Sequence, residues 1–153
     1  MFAVVDITEQ QVYASVRGFI QSLLDCEVVQ GLDNGVGMPA SGFIAMTVLF
    51  KARLSTNVDA YVSDALQSVK TATQATQVTM QIDCYGAQSS EWSQIISAMW
   101  RDEYACDKLA PTCQPLHADD PRQVPITNGE QQYEQRWLIT AILQYNPTVT
   151  VGQ

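Results

Sequence analysis

The one residue pattern in this sequence that could carry acid–base or metal chemistry surrounds its single histidine. His117 stands shortly before Asp119 and Asp120, in front of Pro121. An imidazole oriented by a carboxylate can act as a general base, and an imidazole with two carboxylates can ligate a metal. This interpretation would make the chain a metal-dependent or histidine-based hydrolase. A single histidine cannot build a two-histidine site, however, and no GxSxG or HExxH motif accompanies it. A polar turn is therefore favoured, and we expect no catalytic residue.

The cysteines and glycines do not predict a metal or cofactor site either. Cys26, Cys84, Cys106 and Cys113 form no CxxC motif and have no histidine partners at zinc-binding spacing. Cys106 and Cys113 could close a small disulfide loop, but free thiols are favoured because no secretion signal precedes them. The glycine-rich segment 31–42 lacks the Lys-Ser/Thr ending of a P-loop. We therefore expect neither a metal nor a cofactor.

Length, composition and charge limit the possible classes of function. The chain has 153 residues, of which 46% are hydrophobic and 16% charged, which favours one globular domain over residues 1–153. Sixteen acidic and eight basic residues give a net charge of −8, so the overall field does not attract nucleic acid. No apolar run reaches the ~18 residues of a membrane span, and no signal-peptide pattern precedes Asp6. We expect a soluble mature chain that begins where the sequence does and has no membrane partner.

Two apolar stripes at helical spacing predict the two main helices. Thr8 opens a capping box in front of the first stripe, which ends near Leu23. The second stripe runs from Trp92 to Trp100 and predicts a helix over residues 91–105, with Ser89 or Ser90 as its cap. It follows directly on a predicted strand, which indicates that helices pack on a sheet.

Three segments alternate between apolar and polar residues, with the period of two that marks a strand buried on one face. These segments are 43–54, 76–85 and 131–145, and 27–30 is a candidate fourth strand. The element order is then α-β-β-β-α-β. It predicts an α+β fold with an antiparallel or mixed sheet of about four strands and two main helices packed on it.

A polar run extends the middle strand beyond the length that a core requires. Residues 70–77 are rich in Thr, Gln and Ala, and we predict that they pair with residues 43–56. The intervening segment 55–68 mixes helical spacing with many polar residues and is interpreted as partly helical or strand-like. The result would be a protruding hairpin around residues 50–77. A hairpin of this length needs another chain to cover it.

Extended stretches of the sequence resemble a known family. They are VVQGLDNGVGMP, MTVLFKARLSTNVDAY, IISAMWRDEYA, and the pair ADDPRQ and NGEQQYEQRW within residues 118–137. These stretches resemble the neck or tail terminator proteins of tailed bacteriophages, over about residues 8–150. The resemblance implies a tail-terminator-like α+β subunit with a structural role and no enzymatic one.

The resemblance also implies where such a subunit works and what it contacts. It implies a homo-oligomeric ring, typically of six copies, at the head-proximal end of the tail in a virion assembled in the host bacterial cytoplasm. Its partners would be the tail tube protein and the head-completion or connector protein, with a sheath protein as a further candidate. DNA would only pass through the central channel. A head-tail connector, a tail-assembly factor and the hydrolase remain the alternatives.

Charged residues in the matched stretches are the candidates for contacts between subunits. In a head-to-tail ring, each subunit must present two different and complementary faces. We expect basic side chains outside the apolar stripes to meet acidic side chains of a neighbouring copy. The basic candidates are Lys51, Arg53 and Arg122, and the acidic candidates are Asp59, Asp119 and Asp120.

Overall fold

The computed structural model describes residues 2–31, 42–63, 67–124, 126–127 and 133–153. Its described elements are three helices and twelve strands. The helices are α1 (Glu9–Leu23), α2 (Ser89–Trp100) and α3 (Glu103–Leu109). The strands are β1 (Val4–Val5), β2 (Glu27–Gln30), β3 (Phe43–Arg53), β4 (Val58–Ser63), β5 (Ser68–Thr73), β6 (Thr76–Tyr85), β7 (Gln114–Ala118), β8 (Arg122–Gln123), β9 (Ile126–Thr127), β10 (Tyr133–Glu134), β11 (Arg136–Tyr145) and β12 (Thr148–Gly152).

A six-stranded sheet carries the hydrophobic core. Its strand order is β2-β3-β6-β11-β7, with β8 also paired to β11. β2 pairs with β3 in parallel and all other neighbours are antiparallel. Helix α2 packs on β6 and β11, and α1 packs on α3 and β2. The largest fully buried side chains are those of Trp100, Phe19, Ile20, Ile44, Met46, Met80, Ile82, Ile96, Leu109, Ile139, Leu143 and Val12.

A second sheet continues three strands of the first one. Its order is β1-β12-β5-β4, with antiparallel pairing throughout. β3, β6 and β11 are joined by short links to β4, β5 and β12, respectively. Backbone hydrogen bonds from Leu54 N to Ala75 O (2.8 Å) and from Gln74 N to Pro147 O (3.1 Å) bridge the junction between the sheets. The backbone hydrogen bonding between strands therefore continues from one sheet into the other.

The predicted partner of the polar run was wrong in part. Only its last two residues, Thr76 and Gln77, pair with β3. Its first four residues belong to β5, which lies between β4 and β12. The sequence predicted neither the pairing of β5 with β4 nor the C-terminal strand β12 beside it, because strand pairing is decided by segments far apart in the chain. The single-domain organisation and the protrusion of a hairpin around residues 50–77 stay predictions.

The predicted second helix is two helices. α2 ends at Trp100, and the extended backbone of Asp102 begins α3. The Asp102 carboxylate accepts a hydrogen bond from Tyr104 N (3.0 Å), because Asp favours an N-cap over a helix interior. The predicted cap of α2 was also wrong, since Gln88 occupies the N-cap without a side-chain bond. Ser89 is the first helical residue, and its hydroxyl is buried.

The fold class is confirmed as α+β, whereas about four strands and two helices describe it only roughly. The capping box at Thr8 is confirmed, and the side-chain oxygen of Gln11 accepts a hydrogen bond from the Thr8 backbone N–H (2.7 Å). A β-bulge between Val48 and Phe50 breaks the predicted alternation of β3. Leu49 is the extra residue, and from there on Lys51 and Arg53 lie on the helix-bearing face. The four cysteines are free thiols.

Candidate assembly surfaces

His117 and the two aspartates near it do not form one site. His117 lies exposed on β7, opposite Ile142 of β11. The Asp119 carboxylate accepts a hydrogen bond from Thr140 N (2.6 Å), which ties the end of β7 to β11. Asp120 instead lies 3.5 Å from the guanidinium of Arg101. Within the described ranges, no three His, Cys, Asp or Glu side chains gather in a way that could hold a metal. The described geometry therefore gives the hydrolase interpretation no support.

Arg122 makes the local ion pair that its position in the sequence allows. It lies on β8 beside Leu138 of β11, and its Nη1 is 3.5 Å from Asp119 Oδ2. Both side chains are well exposed. The structure thus brings two of the six predicted contact residues together within one chain, and it leaves their outer sides open to solvent.

The basic end of β3 and the acidic residue of β4 lie apart from this pair. Lys51 is 3.9 Å from Glu9 of α1, with its ammonium over the ring of Tyr145. Asp59 is 3.8 Å from Lys70, its neighbour on β5. Arg53 is exposed at the end of β3 and makes no salt bridge with any residue in the described part of the chain. The candidates are therefore spread over both sheets.

The most enclosed charged group among the described residues was not predicted from the sequence. Asp83 of β6 is buried on the sheet face opposite the helices, and Arg136 of β11 binds its carboxylate at 2.9 Å. Gln81 donates to the other carboxylate oxygen (2.8 Å). The guanidinium lies over the ring of Tyr85, which stacks on Phe43 with 4.6 Å between ring centroids. This arrangement joins β3, β6 and β11 on that face.

A sequence signal for this group did exist. Asp83 and Arg136 both fall on the polar side of their strands, and they carry opposite charges. Opposite charges on facing strands attract when the register brings them together. The signal was not sufficient, because no local pattern gives the register of β6 against β11.

Three of the four thiols are not placed for nucleophilic chemistry. Burial raises the pKa of Cys113 to about 12, and it raises the pKa of Cys84 far above the usual range of a thiol. Burial also raises the pKa of Cys26. Because the thiolate is the nucleophilic form, the raised pKa makes these three side chains poor nucleophiles at neutral pH. Their role is to fill space in and beside the core.

The outermost strands of the second sheet expose apolar side chains. All six residues of β4 are exposed, among them Val58, Tyr61 and Val62. On the opposite edge, Val4 and Val5 of β1 are exposed as well. Exposed apolar patches on soluble proteins commonly mark contact surfaces. From the sequence, segment 55–68, which contains β4, was interpreted only as partly helical or strand-like, and its exposure was not predicted, because the sequence did not show that the strands lie at the edges.

In the part of the chain that the structure describes, no helix is long and apolar enough to cross a membrane. A comparison with curated proteins finds no match. The sequence profile of a family described as phage neck terminator protein matches residues 10–153, nearly the whole chain. This match confirms the resemblance seen in the sequence, and the chain belongs to the phage neck terminator protein family.

Proposed function

We propose that this chain closes the head-proximal end of a phage tail as a ring of six copies. Membership of the neck terminator family makes it a structural virion protein of the junction between head and tail, and this match over residues 10–153 carries the proposal. In the proposed role the ring ends the tail tube and joins it to the head-completion or connector protein. A sheath protein is a further proposed neighbour, and assembly takes place in the host cytoplasm.

The shape of the second sheet supports a ring. A head-to-tail ring needs two different surfaces on each copy, one for each neighbour. The sheet has two different outer strands, β1 and β4, and both expose apolar side chains. This arrangement is what repeated association of identical copies requires.

The charge distribution supports a central channel through which DNA slides without being held. The net charge is −8, and five of the eight Lys and Arg residues lie within 4 Å of a carboxylate. Affinity for DNA depends on unpaired cations that neutralise phosphates. A lumen lined by this chain would therefore bind DNA weakly.

We propose that the six charged candidates contribute to contacts between copies by exchanging partners. Exposed ion pairs contribute only roughly 0–1 kcal/mol to stability, so breaking one within a subunit costs little. Arg53 has no ionic partner among the described residues, and the other candidates are in exposed pairs. On assembly, Lys51, Arg53 and Arg122 would meet the acidic residues Asp59, Asp119 and Asp120 of a neighbour.

Native mass spectrometry with negative-stain imaging of the purified protein tests the ring. We expect closed rings of six copies with a central hole, either in solution or after purified tail tubes are added. Rings bound to one end of the tubes would support the terminator role over that of a connector or an assembly factor that leaves. A protein that stays monomeric and ignores the tubes would contradict the proposal.

The contribution of Arg122 is tested separately by Arg122→Glu. We expect fewer rings with an unchanged midpoint of thermal unfolding, because the side chain is exposed and its local ion pair is weak. Lys108→Glu is the matched control, since it makes the same change in charge at an exposed residue of α3 outside the candidate set. If Arg122→Glu assembles as well as Lys108→Glu, Arg122 has no part in the ring.

A further inference from the structure

Among the described residues, the two edges of the four-stranded sheet have no partner strand. β4 lies at one end of the strand order and β1 at the other, and no described strand pairs with the outer side of either. An edge strand presents unpaired backbone N–H and C=O groups, to which another chain can add a strand. Each copy of this protein therefore carries two such sites on opposite sides of one sheet.

The edge at β4 lacks the usual protection against strand addition. Soluble proteins blunt such edges with Lys, Pro, bulges or very short strands. β4 has six residues, pairs with β5 without a register shift, and contains no Lys or Pro. Val58, Tyr61 and Val62 are 69%, 62% and 54% exposed. An edge of this kind is favourable to bury and is left open in the single chain.

The opposite edge offers a segment of matching chemistry. Residues 2–5 read Phe-Ala-Val-Val, and all four are exposed, Phe2 by 95%. Neither this segment nor β4 brings an unpaired charge to the contact. The one charged residue of β4, Asp59, has a cationic partner in either case: Lys70 at 3.8 Å in its own sheet, or a basic residue of the neighbouring copy after the proposed exchange. The two edges can therefore meet without burying an isolated charge, which would be costly.

The strand directions of the sheet fit a head-to-tail arrangement. The four strands are antiparallel at every step, so β1 and β4 run in opposite directions. A rotation that carries one copy to the next around an axis parallel to the strands brings β1 beside β4 as an antiparallel pair. Each face of the sheet then continues into the same face of the neighbour. The ladder of one copy would extend without a break into the next.

From these observations we infer that β4 of one copy pairs with residues 2–5 of the next copy, so that the four-stranded sheets join edge to edge around the ring. This inference rests on the proposed ring and names its contact. A two-fold dimer through β4 alone would leave residues 2–5 exposed and could not grow into a ring. Pairing of the two different edges covers both.

Charge placed on either edge tests the inference. Val58→Lys/Val62→Lys changes two exposed residues of β4, and Val4→Lys changes one exposed residue of β1. Each variant should assemble into rings at least about tenfold less than the wild type, because a lysine ammonium at the contact loses its hydration without a partner. Thermal unfolding should show that both variants remain folded. Leu116→Lys, which changes an exposed residue of β7 in the other sheet, is the matched control and should form rings normally.

Mixing the two edge variants distinguishes this contact from others. Each variant keeps one intact edge, so the mixture should give a 1:1 heterodimer in native mass spectra, although neither variant assembles alone. Rings that persist in either edge variant would overturn the edge pairing and leave the ring itself standing. A β4 variant that loses association while Val4→Lys stays dimeric would overturn it in favour of the two-fold dimer. A wild-type chain that forms no ring and binds no tail tube would overturn the proposed function as well.

Discussion

Arg136 of β11 reaches diagonally across the strand pair to hold the carboxylate of Asp83 on β6. Its Nη2 and Nε donate to the same oxygen, Asp83 Oδ1, at 2.9 and 3.1 Å. The two residues are not direct partners in the register, since Arg136 stands opposite Tyr85 and Asp83 opposite Leu138. The Asp83 side chain is only 6% exposed and that of Arg136 22%. The ion pair therefore links the two central strands on the face away from the helices.

Removing the cation should destabilise the fold strongly. We expect Arg136→Met to lower the free energy of unfolding by about 3 kcal/mol, because it leaves a buried carboxylate without its partner. Urea denaturation gives this value. The double variant Asp83→Asn/Arg136→Met removes both charges and should be more stable than Arg136→Met alone. A double variant that is less stable than the single one would contradict this account.

Replacing either of two glycines by alanine should change the stability of the chain, but in opposite directions. Gly86, which follows β6, has φ +115°, and a Cβ there would lie 2.9 Å from Gly42 Cα. We expect Gly86→Ala to lower the free energy of unfolding by about 2 kcal/mol. An alanine is strained at this positive φ, and its Cβ would also press against the backbone of Gly42. Gly18 lies inside α1, and apart from its chain neighbours and the backbone of its own helix no atom lies within 4 Å of the added Cβ. Gly18→Ala should instead stabilise the chain by roughly 0.5–1 kcal/mol. Thermal unfolding of both variants measures these changes, and a stability change in the same direction in both would contradict the prediction.

Asp119 and Asp120 are neighbours in the sequence that should contribute differently to stability. Asp119 accepts a hydrogen bond from Thr140 N and pairs with Arg122, whereas the Asp120 side chain is almost fully exposed beside Arg101. We expect Asp119→Ala to cost about 2 kcal/mol, because the Thr140 N–H loses its acceptor. Asp120→Ala should change stability by less than about 0.5 kcal/mol. Chemical denaturation of the two variants side by side checks the difference, and similar losses would count against it.

The buried thiols predict a loss of stability at alkaline pH. An unfolded thiol releases its proton near pH 8.5, whereas burial raises the pKa of Cys113 to about 12. Between these values the folded state binds more protons than the unfolded state, so stability falls as the pH rises. The slope is about 1.4 kcal/mol per pH unit for one such group. Cys113→Ala should show a shallower decline in denaturation experiments between pH 9 and pH 11. An identical slope in both proteins would contradict this contribution of Cys113.

The sequence by itself determined the elements whose burial follows a local period. The capping box at Thr8 and the stripe behind it predicted α1, and strict alternation predicted β6 and β11, although the predicted strand 131–145 also included β10, which pairs with β9 instead. These patterns can be read from the sequence because one face of each element is buried, so that apolar residues recur at a fixed spacing. The family was also legible from the sequence, through stretches spread along nearly the whole chain.

The tertiary structure alone decided how these elements meet. The bulge at Leu49 turns the last residues of β3 to the other face, and Asp102 divides the predicted helix in two. The joining of β12 to β5 and the contact of Arg136 with Asp83 depend on segments distant in the chain. A period of two tells which face of a strand is buried, but a partner or a register is a relation between two strands. That relation is fixed only when both are packed on the same core.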